Sequence, residues 1–509
     1  MTKLRSTLGV VLLILLMANA AVGCSPPRAE AIPASRLLGT PTSTAEAISH
    51  HAKPNESVPE ADSLPTRTAQ PLPTRQPPDQ VTRSYTVQYG DTLTGIAAYL
   101  GLSVEELMQA NGLTNADQIK VGQELQLPMS TPVISPGEIL FPNSELVYGP
   151  AFADFDVRAA TVEYEGFFHK YTEVALDGDV LSAPEIVEQV ALQYSVGPRL
   201  LLAILEAQSG WLTNPSPSAE DQMYPMGFVR DGWDGLTAQM MWAADALNAG
   251  FYGWLEDRLW VFRLEDGSYV QFASTLNSGT AGVQRALASS PDYTAFERRL
   301  DDVAATYKLL WGDPFAYRVE PLLPPEGDTL DLALPWPEGE TWYFTGGPHG
   351  GWGNGSGWAA VDFATDEQNL GCYVSQRWTT AATDGRVLYS EDGMVLQELD
   401  DDNFAGTGWV LLYMHIASED RVSAGTMLAT GDRIGHPSCE GGQSNASHLH
   451  FARLYNGVWI TADADSDWPL VMDGWIAENG TRAYDGQLRK QSIVKTAEED
   501  WLKVNAIQH

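Results

Sequence analysis

The chain has 509 residues, 44% of them hydrophobic, and carries a formal net charge of -36. That length suits about three domains with tails, and the apolar share is enough to build cores. The charge argues against nucleic acid or anionic lipid as the main partner, because the mean field repels polyanions.

The N-terminus reads as a targeting segment. Lys3 and Arg5 precede the apolar run LGVVLLILLMANAAVGC, which is short and ends in small residues, unlike an ordinary spanning helix. Its end, Ala21-Val22-Gly23-Cys24, resembles a bacterial lipobox. The resemblance implies a signal peptide over 1–24, lipid chains on Cys24 and a lipoprotein held on the outer face of the membrane. A plain secretory signal is the alternative, and it too leaves the mature chain extracytoplasmic. Residues 25–82 are rich in Pro, Ser and Thr with little apolar periodicity, and read as a flexible tether.

Residues 83–128 form a compact unit. Tyr85-Thr86-Val87 alternates as a strand. The YGDTL turn leads to a helix with Asp91 at its N-cap and with Ile96, Ala97 and Leu100 at helical spacing. LSVEELMQANG predicts a second helix, with Ser103 and Glu106 as a capping box and Gly112 as its stop. IKVGQELQLP is the closing strand. This strand-helix-helix-strand order, with Gly90-Asp91-Thr92-Leu93 and Asn111, resembles the LysM domain. The resemblance implies binding to N-acetylglucosamine-containing glycan such as peptidoglycan, with contacts at Gly90, Asp91, Thr92 and Asn111.

Residues 129–153 read as a second linker, and 154–327 as helical. APEIVEQVALQYSVGPRLLLAILEAQSGW repeats apolar residues at i, i+3, i+4 and i+7. Leu201 through Trp211, with TLNSGTAGVQRAL further on, resembles the lysozyme-like fold of lytic transglycosylases. Gln208 stands where that family has its catalytic glutamate, and an amide cannot protonate a glycosidic oxygen. Glu206 lies about 200° away around the helix. The expectation is a non-catalytic lysozyme-like domain, with a glycosidase using Glu206 as a rival.

From about 328 short β-rich runs alternate with Gly-rich turns, the pattern of an antiparallel β domain over 328–475. Five of the nine histidines, His349, His415, His436, His448 and His450, lie here. His448 and His450 share one strand face, about 6.6 Å apart. One imidazole can then hold a metal and the other serve the substrate beside it. A catalytic zinc needs three protein ligands and one open position. His450, His349 and Asp362 are the candidates, which leaves His415 and His448 to relay protons and stabilise an oxyanion.

The first His with its Asp, Tyr413-Met414-His415, His448-Leu449-His450-Phe451, and the run from Ala382 to Val387 resemble the lysostaphin-type zinc endopeptidases. The resemblance implies Zn2+ on His349, Asp362 and His450, with His415 and His448 catalytic, cutting peptide cross-links of peptidoglycan. Twelve residues, GGWGNGSGWAAV, separate His349 from Asp362, where the family usually has three. His436 reads as a turn residue. Cys372 and Cys439 are expected to pair, because the compartment permits disulfides; two buried thiols are the alternative. Residues 476–509 read as a C-terminal tail.

The expectation is a multidomain chain: a small α/β LysM module, a mainly α lysozyme-like domain and a C-terminal, mainly antiparallel β peptidase domain. A non-catalytic wall-binding scaffold is the rival for the whole.

Overall fold

The computed structural model describes residues 70–73, 84–87, 92–99, 102–120, 122–128, 131–175, 179–367 and 369–509. The signal segment with Cys24, most of the 25–82 tether, and Gly90 and Asp91 lie outside the described residues. Among the described residues no helix is long and apolar enough to cross a membrane.

In the first unit Ser84–Thr86 pairs antiparallel with Glu124–Gln126, and helices Leu93–Tyr99 and Val104–Ala110 lie between them in sequence. The capping box forms: the Ser103 backbone N–H donates to Glu106 Oε2 at 2.8 Å, and the Glu106 N–H donates to Ser103 Oγ at 3.2 Å. Leu93, Ile96, Leu107 and Leu125 make the core, and Tyr269 from the middle region closes it. A two-pronged ion pair from Arg263 to Glu106 ties the unit to that region.

The middle region is helical, built on Ala183–Tyr194, Pro198–Ser209, Leu236–Leu255, Ser278–Ala286 and Tyr293–Trp311. The expected linker over 129–153 is corrected, because its described part is packed. Val133–Ile134 joins a three-stranded sheet with Tyr269–Gln271 and Val261–Arg263. Phe141, Leu146 and Val147 are fully buried, and Glu145 is buried on Arg199 with N–O distances of 2.6 and 3.0 Å. The segment lacks periodicity because it packs as short turns and extended chain, so sequence alone gives it no helical or strand signature.

The C-terminal region holds a nine-stranded antiparallel sheet. Its order runs Met427–Leu428, Gly385–Glu391, Met394–Glu398, Trp409–Met414, Leu449–Tyr455, Ala360–Ala364, Thr341–His349 and Ala506–Gln508, with Val458–Trp459 paired beside Leu449–Tyr455. Side chains alternate between its faces. Val361, Phe363, Leu411, Tyr413 and Phe451 point into the region's own core. Ala360, Val410, Leu412, Ala452 and Leu454 point the other way, into one continuous core with Leu200, Leu247 and Phe251 of the helices. The helical region therefore covers the central part of one face of the sheet.

The expected tail over 476–509 is also corrected. It contributes to Trp475–Asn479 and forms Gly486–Lys490, Ile493–Thr496 and the strand Ala506–Gln508, which pairs with Thr341–Tyr343. These strands are short and largely half-exposed, so their apolar pattern is thin, yet they cover the edge beside His349.

Candidate metal centre

Register in the sheet brings the predicted residues together. Leu449–Tyr455 lies between two neighbours, with His450 opposite Met414 on one side and Asp362 on the other. Asp362 is in turn opposite Gly346 on the next strand, which ends at His349. Gly346 is needed there: a Cβ on it would stand 2.4 Å from Asp362 Oδ2. Asp362 and His450 belong to the face covered by the helices, at the end of that cover.

Each imidazole is aimed by a hydrogen bond at its outer nitrogen. His349 Nδ1 donates to the Gly347 carbonyl at 2.8 Å, and His450 Nε2 to the Gly351 carbonyl at 3.0 Å. His448 Nδ1 donates to the Ala446 carbonyl at 2.8 Å, and His415 Nδ1 to the Glu440 carbonyl at 3.1 Å. A backbone carbonyl only accepts, so these contacts assign the N–H outward and leave each inner nitrogen with a lone pair.

Three lone pairs converge. His349 Nε2 and His450 Nδ1 are 3.0 Å apart, and Asp362 Oδ1 lies 3.3 Å from the first and 3.2 Å from the second. A tetrahedral zinc with bonds of about 2.0–2.1 Å sets its ligand atoms about 3.3 Å apart. Asp362 Oδ1 is buried and accepts no hydrogen bond. A carboxylate oxygen orphaned between two imidazole lone pairs is costly unless a cation fills the space. The donor set fits zinc, and the three form the one such group among the described residues that contains histidine.

His448 Nε2 is 3.7 Å from Asp362 Oδ1, and the His448 and His415 rings are 4.5 Å apart. Met414 lies on the ligand face, so strand alternation would turn His415 away. His415 has φ 65, and this left-handed residue re-aims the chain at the strand end. Burial, with His448 and His450 nearby, pushes its pKa down to about 3. With both outer N–H groups committed, His415 and His448 offer acceptors inward. That geometry suits taking protons.

The twelve-residue stretch after His349 loops out and returns Asp362 to the site. His436 lies elsewhere, bonded to the Arg377 carbonyl and packed on Trp378 at 3.9 Å. Cys372 and Cys439 form a disulfide. Tyr484 was missed in the sequence; it sits over the His349 ring. Its position comes from a turn more than 130 residues downstream, inside the stretch read as a tail, and no local pattern signals it.

The other predicted positions are engaged differently. Asn111 donates to the Leu107 and Gln126 carbonyls and accepts from the Gln126 N–H, so its amide holds the LysM module together. Thr92 is exposed. Glu206 accepts from the Leu212 and Thr213 N–H groups and the Thr213 hydroxyl, which fastens the turn after its helix. Gln208 lies against Gly227. Asn277 caps its helix. A second carboxylate group, Glu398, Asp400 and Asp402, has Arg386 as a neighbouring cation, 3.7 Å from Glu398.

Comparison with known proteins gives two family matches: residues 85–128 match the LysM domain, and residues 139–325 match the LasA N-terminal domain. The chain thus carries a LysM domain. The helical region matches a LasA N-terminal domain where a lysozyme-like one was expected. Protease LasA of Pseudomonas aeruginosa is 26% identical over 327 residues, 60% of this chain and 73% of that protein. N-acetylmuramoyl-L-alanine amidase XlyB of Bacillus subtilis is 48% identical over 46 residues, 9% of this chain and 14% of that protein. Among solved structures, the M23 metalloprotease pseudoalterin is 23% identical at a TM-score of 0.27, over 33% of this chain and 96% of its own. The catalytic domain of lysostaphin from Staphylococcus simulans is 23% identical at a TM-score of 0.18, over 24% of this chain and 89% of its own.

Proposed function

We propose that the protein is a zinc metalloendopeptidase that hydrolyses peptide cross-links of peptidoglycan and is held on its substrate by the LysM domain. The observation that carries this is the inward triangle of His349 Nε2, Asp362 Oδ1 and His450 Nδ1, 3.0–3.3 Å on a side, with the Asp362 oxygen orphaned. His349, Asp362 and His450 would hold the ion. When bound, zinc supplies Lewis acidity to a water and to a scissile carbonyl.

The remaining steps belong to the chain. His448 Nε2 faces the triangle and takes the proton of the attacking water, then returns it to the departing amine. His415 stays neutral and accepts a hydrogen bond beside it, holding the water in line. The relation to Protease LasA over most of that protein's length supports proteolysis. The LysM match supports glycan attachment in the cell wall. Joining a weak glycan site to the peptidase raises the effective concentration of cross-links. The Ala21–Cys24 sequence supports an extracytoplasmic lipoprotein anchored through Cys24.

The test is metal content of the purified protein beside His450→Ala, with release of new amino groups from peptidoglycan measured on the same samples. About one zinc per chain, lost in the variant together with amine release, is the expected result. Iron in place of zinc, or amine release that survives a chelator, sinks the reading.

A further inference from the structure

The loop between His349 and Asp362 touches the site at one end and the helical region at the other. At the site end, the Gly351 carbonyl accepts the N–H of His450 Nε2 at 3.0 Å, the bond that aims His450 Nδ1 into the triangle. The loop is closed on itself by Gly351 N–H to the Gly357 carbonyl and by Trp352 N–H to Ser356 Oγ, both at 3.0 Å. At its tip, Gly355 N–H donates to Asp245 Oδ1 at 2.8 Å, and the Asn354 N–H also bonds to the Asp245 carboxylate.

Asp245 stands on the helix Leu236–Leu255, and its half-buried carboxylate receives these bonds. The approach is close: a Cβ on Gly355 would stand 2.0 Å from the Asp245 backbone oxygen, and one on Gly351 2.2 Å from the Trp459 ring. Trp459 is itself fixed to the helices, its backbone N–H on Tyr252 Oη and its ring N–H on the Tyr194 carbonyl. The loop is therefore gripped between a helix and a tryptophan that the same helices hold.

We propose that Asp245 is a positioning residue for the metal centre. By accepting the loop-tip N–H groups it sets where the Gly351 carbonyl stands, and so which way His450 Nδ1 points. The helical region then does more than cover the sheet: it supplies the anchor that orients one ligand. This rests on the metallopeptidase reading above. An outer partner of a ligand histidine commonly changes metal affinity by about 10–100-fold when removed.

The experiment measures zinc affinity by chelator competition on the full chain, and the visible absorption of the cobalt-loaded protein. Wild type is compared with Asp245→Ala, Asp245→Asn and Ser195→Ala. Ser195 Oγ donates to the Gly457 carbonyl across the same seam between helices and sheet, a bond that involves no loop residue, so it reports loss of docking alone. Asp245→Ala is expected to bind zinc about 10–100-fold more weakly and to shift the cobalt bands. Asp245→Asn, which keeps an acceptor oxygen, should recover most of the affinity, and Ser195→Ala should match wild type. Should Asp245→Ala fail to fold, Gly355→Ala displaces the same tip and must weaken zinc in its place. Wild-type affinity and spectrum in Asp245→Ala, or equal weakening in Ser195→Ala, overturns the proposal. Absence of tight zinc binding by the wild type overturns the metallopeptidase reading itself.

Discussion

Tyr484 lies flat on His349, with ring centroids 4.1 Å apart and an interplanar angle of 22°. The Gly347 N–H bonds to the Tyr484 carbonyl at 2.7 Å, so backbone and ring together hold this histidine from outside the triangle. Stacked rings contribute about 0.5–1.5 kcal/mol beyond their area. Tyr484→Ala should therefore weaken zinc binding by about 2–10-fold, and Tyr484→Phe should restore it. Chelator competition decides the matter; equal loss in both variants would assign the effect to the hydroxyl instead.

His448 and His415 make no side of the ligand triangle. His448→Gln and His415→Gln should each lower amine release by about 10²–10⁴-fold while zinc stays at wild-type stoichiometry. Zinc analysis alongside turnover separates this from ligand loss. A variant that loses the metal as well would mean the triangle has been drawn with the wrong histidines.

The Cys372–Cys439 bond joins positions 67 apart in sequence. Its second half-cystine is near Ser444, which in turn lies 3.3 Å from His448 Nδ1. Replacing both cysteines by serine should cost about 2–4 kcal/mol of stability, and should lower turnover more than zinc content, because the loop before His448 loosens first. Thermal unfolding and turnover of the double variant, with and without reductant for the parent, provide the check.

Glu188 sits half-buried in the helical region, and burial, with Asp156 nearby, raises its pKa to about 7. A carboxyl whose folded pKa exceeds its unfolded value keeps its full stabilising proton below about pH 4.5 and loses it as pH rises through about 7. Glu188→Gln should thus be more stable than the parent at pH 8, by about 2 kcal/mol, and indistinguishable near pH 4.5. Denaturant titrations at the two pH values test it, and a difference that is the same at both would remove titration as its cause.

Much of the site was legible because its signals are local. His448 and His450 share a face through the two-residue period of a strand, and Ser103 with Glu106 announces a helix start within four residues. The loop after His349 was legible as an insertion, though its destination was not: Asp245 meets Gly355 across 110 residues of chain. Tyr484 was hidden for the same reason. In the helical region Leu201–Trp211 carries little family information, because buried leucines at helical spacing satisfy any packed helix. In the 131–153 segment burial comes from isolated side chains such as Phe141 and Leu146, so periodicity has nothing to register.

The pairing of His450 with Asp362, and of Asp362 with Gly346, has a consequence for which relatives can keep the site. Loop lengths between these strands are free to drift, since the chain can bulge outward and come back, as it does after His349. Parity within the strands is not free. One residue added or deleted inside Ala360–Ala364 or Leu449–Tyr455 exchanges odd for even, and would swing Asp362 or His450 through the sheet into the apolar core beside Phe363 and Phe451. Insertions and deletions across such a lineage should then fall almost wholly outside these two strands, or arrive in pairs.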